Sequence, residues 1–328
     1  MFGWVTTASE REYVAVTTVA GAPLATGEGL GQTKPSGEKQ RWAKVDGLAP
    51  ATIYCYAIVS ELGPLTERTG FRTAPAADAT RPIRFLAFGD SAGGGRDQLA
   101  LRDEMFHFPF DFVIDTGDLA NDEGTIRDFE RNVFRVYAEL LRNVPLFPSP
   151  GNHDYKTIQT APFSEVFAVF ADRNRSWYSY DWGRIHFAAL DTGADYATQA
   201  RWLEADLKAT EEPWKIVYLH RPPYSSGAHG SDVALRNALA PVFEKHHVQL
   251  VLSGHDHDYE RILPQHGVTY VVTGGGGRGT RRVGRPSFTA FSADVIHFVI
   301  VDVGMDELVL HAIDATGVEF DSMVVPRR

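Results

Sequence analysis

Apolar residues come in short runs at the start of this chain and in longer, mixed rhythms after about residue 80. The first part predicts strands at Phe2 to Thr7, Glu12 to Thr17, Gln40 to Val45, Thr52 to Val59 and Glu67 to Thr73. Gly27, Gly29, Gly31, Pro35, Gly37, Gly47 and Pro50 separate them as turn residues, and strands so punctuated predict a small β-sandwich. A full sandwich of that kind has about seven strands, so we expect a strand before Phe2 that is either upstream or lost. Thr73 to Pro82 is a Pro/Ala-rich stretch without periodicity, and the boundary is expected there, dividing the chain into 1–76 and 82–328.

Beyond it, apolar runs of strand length at Ile83 to Phe88, Phe112 to Asp115, Ile216 to Leu219, Val248 to Leu252, Val268 to Thr273, Val295 to Val301 and Leu308 to Ile313 alternate with helical spacing. Helices are predicted over Asp97 to Phe106, Ile126 to Leu141, Ala197 to Lys208 and Val233 to His246, and a hairpin over Tyr178 to Trp182 and Ile185 to Leu190 turning at Gly183. Strands alternating with helices, followed by a strand-rich end, predict an α/β fold of two packed sheets flanked by helices.

The chain has 328 residues and a formal net charge of -10. That balance argues against a nucleic-acid scaffold, which needs a basic face, but it does not exclude an anionic substrate at a site carrying metal cations. Cys55 is the single cysteine, so no intramolecular disulfide forms. No apolar run approaches the ~20 residues of a membrane helix, and Met1 to Thr7 lacks the basic start and apolar run of a secretory signal. Neither compartment nor oligomeric state follows from these features.

Five times the chain leaves an apolar strand and at once presents a carboxylate, an amide or an imidazole. Asp90 follows FLAFG, Asp118 lies in VIDTGD, and Asn152, His153 and Asp154 follow LFPSPG. His220 follows IVYL, and His255 and His257 follow LVLSG. In α/β folds, ligand sites lie at the carboxyl ends of strands, so all five converge on one rim. Hard oxygen and borderline nitrogen donors without a thiolate suit Zn, Mn or Fe. Taken singly, Asp90 reads equally well as a helix cap, Gly117-Asp118 as a turn, and His220 as a satisfied core histidine. Gly151 to Asp154 and Gly254 to His257 are more specific.

The ordered set GD, GD, GNHD, H and GHDH resembles the calcineurin-like metallophosphoesterase superfamily over Ile83 to the C-terminus, including GHDHDYER at 254–261 and the glycine run at 274–277. With the N-terminal strands, the layout is similar to purple acid phosphatases. Leu48, Pro50, Thr52 and Tyr54 resemble the lead-in to a late strand of fibronectin type III-like domains. Tyr54 is either the corner tyrosine of such a domain or a simple strand-face residue. The resemblance implies a four-layer αββα sandwich with two metals at its rim. It implies Asp90, bridging Asp118 and His257 at the first metal, and Asp118, Asn152, His220 and His255 at the second. It implies His153 as a phosphate-binding or acid group and His229, within RPPYSSGAHG, as a second catalytic histidine.

Two positions depart from the pattern. Ala92 stands where most of the superfamily has a histidine, and Asn121 where purple acid phosphatases have a metal-binding tyrosine. Asn121 is therefore a candidate ligand through its carbonyl oxygen. Without tyrosinate we expect a protein that is not purple and that favours two divalent ions. The expected activity is phosphate monoester hydrolysis by in-line attack of a metal-bound hydroxide, with His153 or His229 protonating the leaving oxygen and Asp154 either orienting a neighbour or stabilising a turn. Alternatives are a phosphodiesterase or nucleotide pyrophosphatase with the same centre, and a non-catalytic binding protein with a degenerate site. A zinc peptidase is disfavoured, since no HExxH run exists. Substrate choice is expected from Lys156 to Pro162, Pro222 to Ser231 and Arg278 to Arg285. There Arg278, Arg281, Arg282 and Arg285 read as a solvated basic loop more readily than as a second phosphate site.

Overall fold

The computed structural model describes residues 1–7, 10–33, 39–91, 93–157, 162–167 and 175–327. Ala92 and part of the loop at 156–162 lie outside the described residues.

Two sheets make the body of the molecule. In the first, the strands run Leu146–Pro148, Phe112–Asp115, Ile83–Phe88, His297–Val303, Glu307–Asp314 and Glu319–Pro326. In the second they run Tyr178–Trp182, Ile185–Ala189, Trp214–Leu219, Leu250–Ser253, Thr269–Thr273, Tyr259–Ile262 and Thr289–Ala293. The strands that bear the motifs run parallel to one another within each sheet: Ile83–Phe88, Phe112–Asp115 and Leu146–Pro148 in one, Trp214–Leu219 and Leu250–Ser253 in the other, while Ile83–Phe88 pairs antiparallel with His297–Val303 on its far side. All but the edge strand Leu146–Pro148 are buried on both faces, as parallel strands covered on both sides are, so they read as apolar runs without alternation.

The two sheets pack through Phe85, Phe112, Trp182, Phe187, Trp214 and Tyr218. The Phe85 and Phe112 rings stack at 5.3 Å, and Phe187 meets Phe112 edge-on at 5.4 Å. Each such side chain contributes roughly 1.5–3 kcal/mol on burial, so this layer sets the position of one sheet against the other. Helix Arg96–Met105 covers the outer face of the first sheet with Leu101 and Met105. Helices Tyr196–Ala209 and Val233–Lys245 cover the second with Leu203, Leu207, Leu235, Leu239 and Phe243. The order is α/β/β/α, as the sequence predicts. Asp195 and Asp232 start the last two helices by accepting the N–H groups of Thr198 and Leu235.

The helix expected over Ile126 to Leu141 is interrupted. A Thr125–Asp128 capping box starts Ile126–Phe129. A π-helical turn then occupies Glu130–Phe134, with Arg135 N–H donating to Glu130 O at 3.0 Å, before Ala138–Leu141 resumes. The π turn buries Asn132, whose Nδ2 donates to Asn121 O at 2.5 Å while its own carbonyl accepts Gln98 Nε2 at 2.8 Å. Helical spacing alone does not reveal such a turn, and π turns gather at functional sites.

Before Arg72 the described residues form eight strands, against the five expected. Pro23–Glu28, Leu30–Thr33 and Gly63–Pro64 were hidden by their Gly, Pro and polar content, and they correct the expectation of fewer than seven. They make two antiparallel sheets around Val14, Val16, Ala43, Tyr54 and Ile58. Tyr54 Oη accepts the Ala49 N–H at 3.0 Å, which is the corner contact rather than plain strand filling. Tyr56 Oη donates to Arg142 O at 2.9 Å and ties this part to the larger one.

Candidate metal centre

All five motifs leave their strands on the same rim, three from the first sheet and two from the second. The loops are packed so closely that only glycine fits beside the polar residues. A Cβ on Gly151 would fall 2.2 Å from Asp118 Oδ1, one on Gly254 2.5 Å from Asp90 Oδ2, and one on Gly274 2.1 Å from Asp256 O. Asp90, Asp118 and His255 themselves adopt left-handed backbone angles, with φ of 56°, 59° and 70°. That conformation is strained for residues with a side chain, and here three of the eight motif residues named as candidates share it.

Cross-sheet hydrogen bonds fix the rim. His255 N–H donates to Asp90 Oδ2 at 2.7 Å, Gly276 N–H to Gly89 O at 2.9 Å, and Gly89 N–H to Thr273 O at 3.0 Å. His220, fully buried, has Nδ1 3.0 Å from Thr116 O. A carbonyl accepts, so that contact puts a proton on Nδ1 and turns Nε2 toward the other donor atoms. His220 Nε2 stands 3.2 Å from Asn152 Oδ1, 3.2 Å from His255 Nδ1 and 3.5 Å from Asp118 Oδ1. His257 Nε2 stands 3.5 Å from Asp90 Oδ1. Donor atoms of Asp90, Asp118 and His220 all lie within 4.8 Å of one another.

These spacings fit cations. Ligands bonded at about 2.0–2.2 Å to one ion sit roughly 3–3.5 Å apart, and the donor set is oxygen and imidazole nitrogen. Two buried oxygens, Asp90 Oδ1 and Asn121 Oδ1, have no hydrogen-bond partner, a costly state for a buried acceptor that a cation would relieve. Asn121 is otherwise tied in place by Nδ2, which donates to Asp118 O at 3.3 Å.

Burial raises the Asp90 carboxyl to about 8, with Asp118 adding to the push, and lowers His255 to about 2 and His257 to about 4. Deep burial disfavours every charged form here. Cations reverse the carboxyl half of that preference and keep the imidazole half, because they bind carboxylate and neutral imidazole.

Asp154 is fully buried. Its Oδ2 accepts N–H groups of Asp118, Gly151 and Leu119 at 3.0, 2.8 and 3.4 Å, and its Oδ1 that of Ala120 at 2.8 Å. These bonds hold the turn at 118–120 and, through the Asp118 N–H, the main chain of a candidate ligand. His153 N–H donates to Asp118 Oδ1 at 2.8 Å, and its ring, partly exposed, has Nδ1 3.0 Å from Asp122 O. His229 lies on the other side, its ring stacked on His255 at 4.1 Å.

The basic loop is not simply solvated. Arg278 pairs with Asp122, Arg281 Nη1 lies 3.1 Å from both ring nitrogens of His229, and Arg285 donates to Ser292 O at 2.8 Å. Sequence reasoning missed Asp256, Ser225 and Thr116, which contact the site histidines or each other from behind; Asp256 had a signal, its place between His255 and His257.

The family model of calcineurin-like phosphoesterases matches residues 83–259. The chain belongs to this family. Relatives include an uncharacterized protein of Mycobacterium tuberculosis, 27% identical over 273 residues, covering 69% of this chain and 51% of that protein. Purple acid phosphatase 23 of Arabidopsis thaliana is 28% identical over 280 residues, covering 71% of this chain and 61% of that protein. The chain thus spans about half to three-fifths of the length of these curated relatives. A purple acid phosphatase from yellow lupin seeds shares the fold, N-terminal sheets included, with a TM-score of 0.91 at 20% identity, covering 99% of this chain and 71% of that one.

Proposed function

We propose that this metallophosphoesterase hydrolyses phosphate monoesters at a dinuclear centre. The observation that carries the reading is the convergence of Asp90, Asp118 and His220 donor atoms within 4.8 Å on a rim where Asn152, His255 and His257 also end. Asp90, Asp118, His257 and Asn121 would hold the first cation, and Asp118, Asn152, His220 and His255 the second. Two such ions, Fe, Zn or Mn, supply neutralisation of the phosphoryl oxygens and a water of lowered pKa. The chain's own groups do the rest. Thr116 O holds the His220 tautomer, Asp154 holds the Asp118 loop, and His153 stands beside the carboxylate at 3.9 Å to meet a phosphoryl oxygen. The same reading keeps 1–76 as a fibronectin III-like unit and 82–328 as the catalytic one.

A phosphodiesterase or nucleotide reading has one observation in its favour. A cavity of about 330 Å³ beside Gly93 is lined by Arg96 and Arg278, groups suited to a second anionic moiety. The deciding experiment is metal content together with hydrolysis of an aryl phosphate and its diester analogue, in wild type and Asp118→Ala. We expect about two metals per chain and activity lost in the variant. No turnover after loading with Zn, Mn or Fe would put a non-catalytic binding protein in its place, and a faster diester would move the substrate class.

A further inference from the structure

We infer that the cavity beside His255 is a leaving-group subsite in which Arg221 binds a second oxyanion of the substrate, so that the preferred esters carry a carboxylate or a further phosphoryl group on the part that departs. The inference rests on the hydrolase reading above and adds to it a substrate class and the residue that selects it.

Arg221 follows His220 directly and precedes Pro222 and Pro223. A residue before proline is held to extended backbone, so Arg221 leaves the strand end along a restricted path. The loop beyond it closes on itself. Pro222 O accepts the Asp232 N–H at 2.9 Å, while Ser231 Oγ accepts the Ser225 N–H at 3.0 Å and lies 3.2 Å from Ser225 O. Two carboxylates hold the same loop from beneath: Asp256 Oδ2 accepts Ser225 Oγ at 2.5 Å, and Glu260 Oε2 accepts the Ser226 N–H at 2.6 Å. The wall of the cavity is thus built before any ligand arrives, as binding pockets usually are.

The cavity has a volume of about 310 Å³, and its lining runs from His255 past Gly230 to Asp232, Val233 and Arg221. At roughly 30 Å³ per water molecule, it has room for a leaving group about the size of a substituted phenyl ring. Gly230 has φ of 74°, and a Cβ there would meet nothing within 4 Å, so the wall is open at that point. His255 belongs both to the candidate centre and to this cavity. A substrate with its phosphoryl group at the centre therefore has the cavity beside it for the group it loses.

Arg221 supplies the charge. It is half-buried, and among the described residues it makes no hydrogen bond and no ion pair. Asp232, the carboxylate that shares the cavity, is engaged elsewhere. Its Oδ1 accepts the Leu235 N–H at 2.9 Å as a helix cap, and its Oδ2 accepts Tyr196 Oη at 2.9 Å. A guanidinium matches a carboxylate or phosphoryl group through two parallel hydrogen bonds, and the chain gives Arg221 no such partner. The cavity beside Gly93 differs in this respect, because Arg278 there is already paired with Asp122.

The test uses the metal-loaded full chain and three esters on one skeleton: phenyl phosphate, 3-carboxyphenyl phosphate and 3-phosphonophenyl phosphate. The readout is kcat/KM for each charged ester divided by that for phenyl phosphate. Wild type should favour at least one charged ester, and the better of the two tells carboxylate from phosphoryl recognition. Arg221→Ala should lower that ratio about 10- to 100-fold, the usual worth of a hydrogen bond to a charged group, with metal content as in wild type. Arg221→Lys keeps the charge without the fork and should recover part of it. Val233 is exposed, lines the same cavity and opens helix Val233–Lys245, where an acidic side chain suits the helix. Val233→Glu should lower the ratio by like-charge repulsion, and Val233→Lys should raise it. A ratio unchanged in Arg221→Ala overturns the inference, and so does an equal loss on all three esters, which would put Arg221 on the reacting phosphoryl group instead. If Arg221→Ala does not fold, the Val233 pair decides: opposite shifts support the subsite, and unmoved ratios remove it. A wild type active on phenyl phosphate without preference for either charged ester removes the inference alone. A wild type inactive on all three removes the hydrolase reading and the inference with it.

Discussion

Asp154 Oδ2 accepts the backbone N–H of Asp118 at 3.0 Å, so the candidate bridging carboxylate is held by a second carboxylate behind its main chain. The same side chain takes the N–H groups of Leu119, Ala120 and Gly151. Asp154→Ala leaves these buried donors unpartnered, and we expect a loss of about 3 kcal/mol or more. Metal affinity should drop about 10- to 100-fold. Urea unfolding and metal content after dialysis check both, and wild-type values in either would show that the contact does not position Asp118.

Gly151 and Gly254 test the packing of the rim. Alanine at either would push a Cβ to 2.2 Å from Asp118 Oδ1 or 2.5 Å from Asp90 Oδ2, forcing the carboxylate to move. Misplacement of a reacting group by about 1 Å costs on the order of 100-fold in rate, and the far-UV spectrum should not change. Gly95→Ala, whose Cβ meets nothing within 4 Å, is the control and should keep wild-type kcat. Active Gly151→Ala and Gly254→Ala enzymes would mean the carboxylates are not where the chemistry is.

Asn121 predicts a colour. It stands where purple acid phosphatases carry a tyrosinate, and its buried Oδ1 has no hydrogen-bond partner. The iron-loaded protein should show no phenolate-to-iron band in the visible spectrum. Asn121→Ala should lose its first equivalent of metal about tenfold more readily than wild type in a chelator titration. A visible charge-transfer band in wild type would sink this account of the first site.

His186 predicts a pH effect away from the centre. Burial by itself lowers its imidazole, but Asp206 and Asp181, at 2.9 and 2.7 Å, outweigh burial and raise it above the ordinary histidine value. A raised folded-state value gives stability that is complete below the unfolded histidine range of about 6.5 and is lost as pH climbs through the folded value. His186→Gln should therefore cost more at pH 5.5 than at pH 8.5, by about 1–3 kcal/mol at the acid end. Equal costs at both would show that the ring is held neutral.

The chemistry of the rim was legible because each candidate ligand follows an apolar strand and, at four of the five motifs, a glycine that must be small for the loops to pack. Gly89, Gly117, Gly151 and Gly254 mark those sites in the sequence, and each meets a neighbour that a Cβ would strike. Strands such as Tyr259–Ile262 and Thr289–Ala293 were not legible. They pair with each other out of sequential order at one end of the second sheet, and Tyr259–Ile262 carries Glu260 and Arg261 inside a buried run. The π turn at Glu130–Phe134 was hidden because its apolar spacing differs from an α-helix by one residue. Asp256 was visible only as a residue type. Its grip on His229 depends on where a loop 27 positions earlier returns in space.

The candidate ligands are split between the two sheets, Asp90, Asp118 and Asn152 on one and His220, His255 and His257 on the other, and the Asp90–His255 contact closes a separation of 165 residues. Closing a loop that long costs chain entropy before any contact rewards it. We expect the centre to be completed late in folding, once the aromatic layer has docked the sheets. A nascent chain that has emerged only as far as Leu219 holds the carboxylates and the amide but none of the three histidines. Cation capture would then seal a finished body rather than seed it.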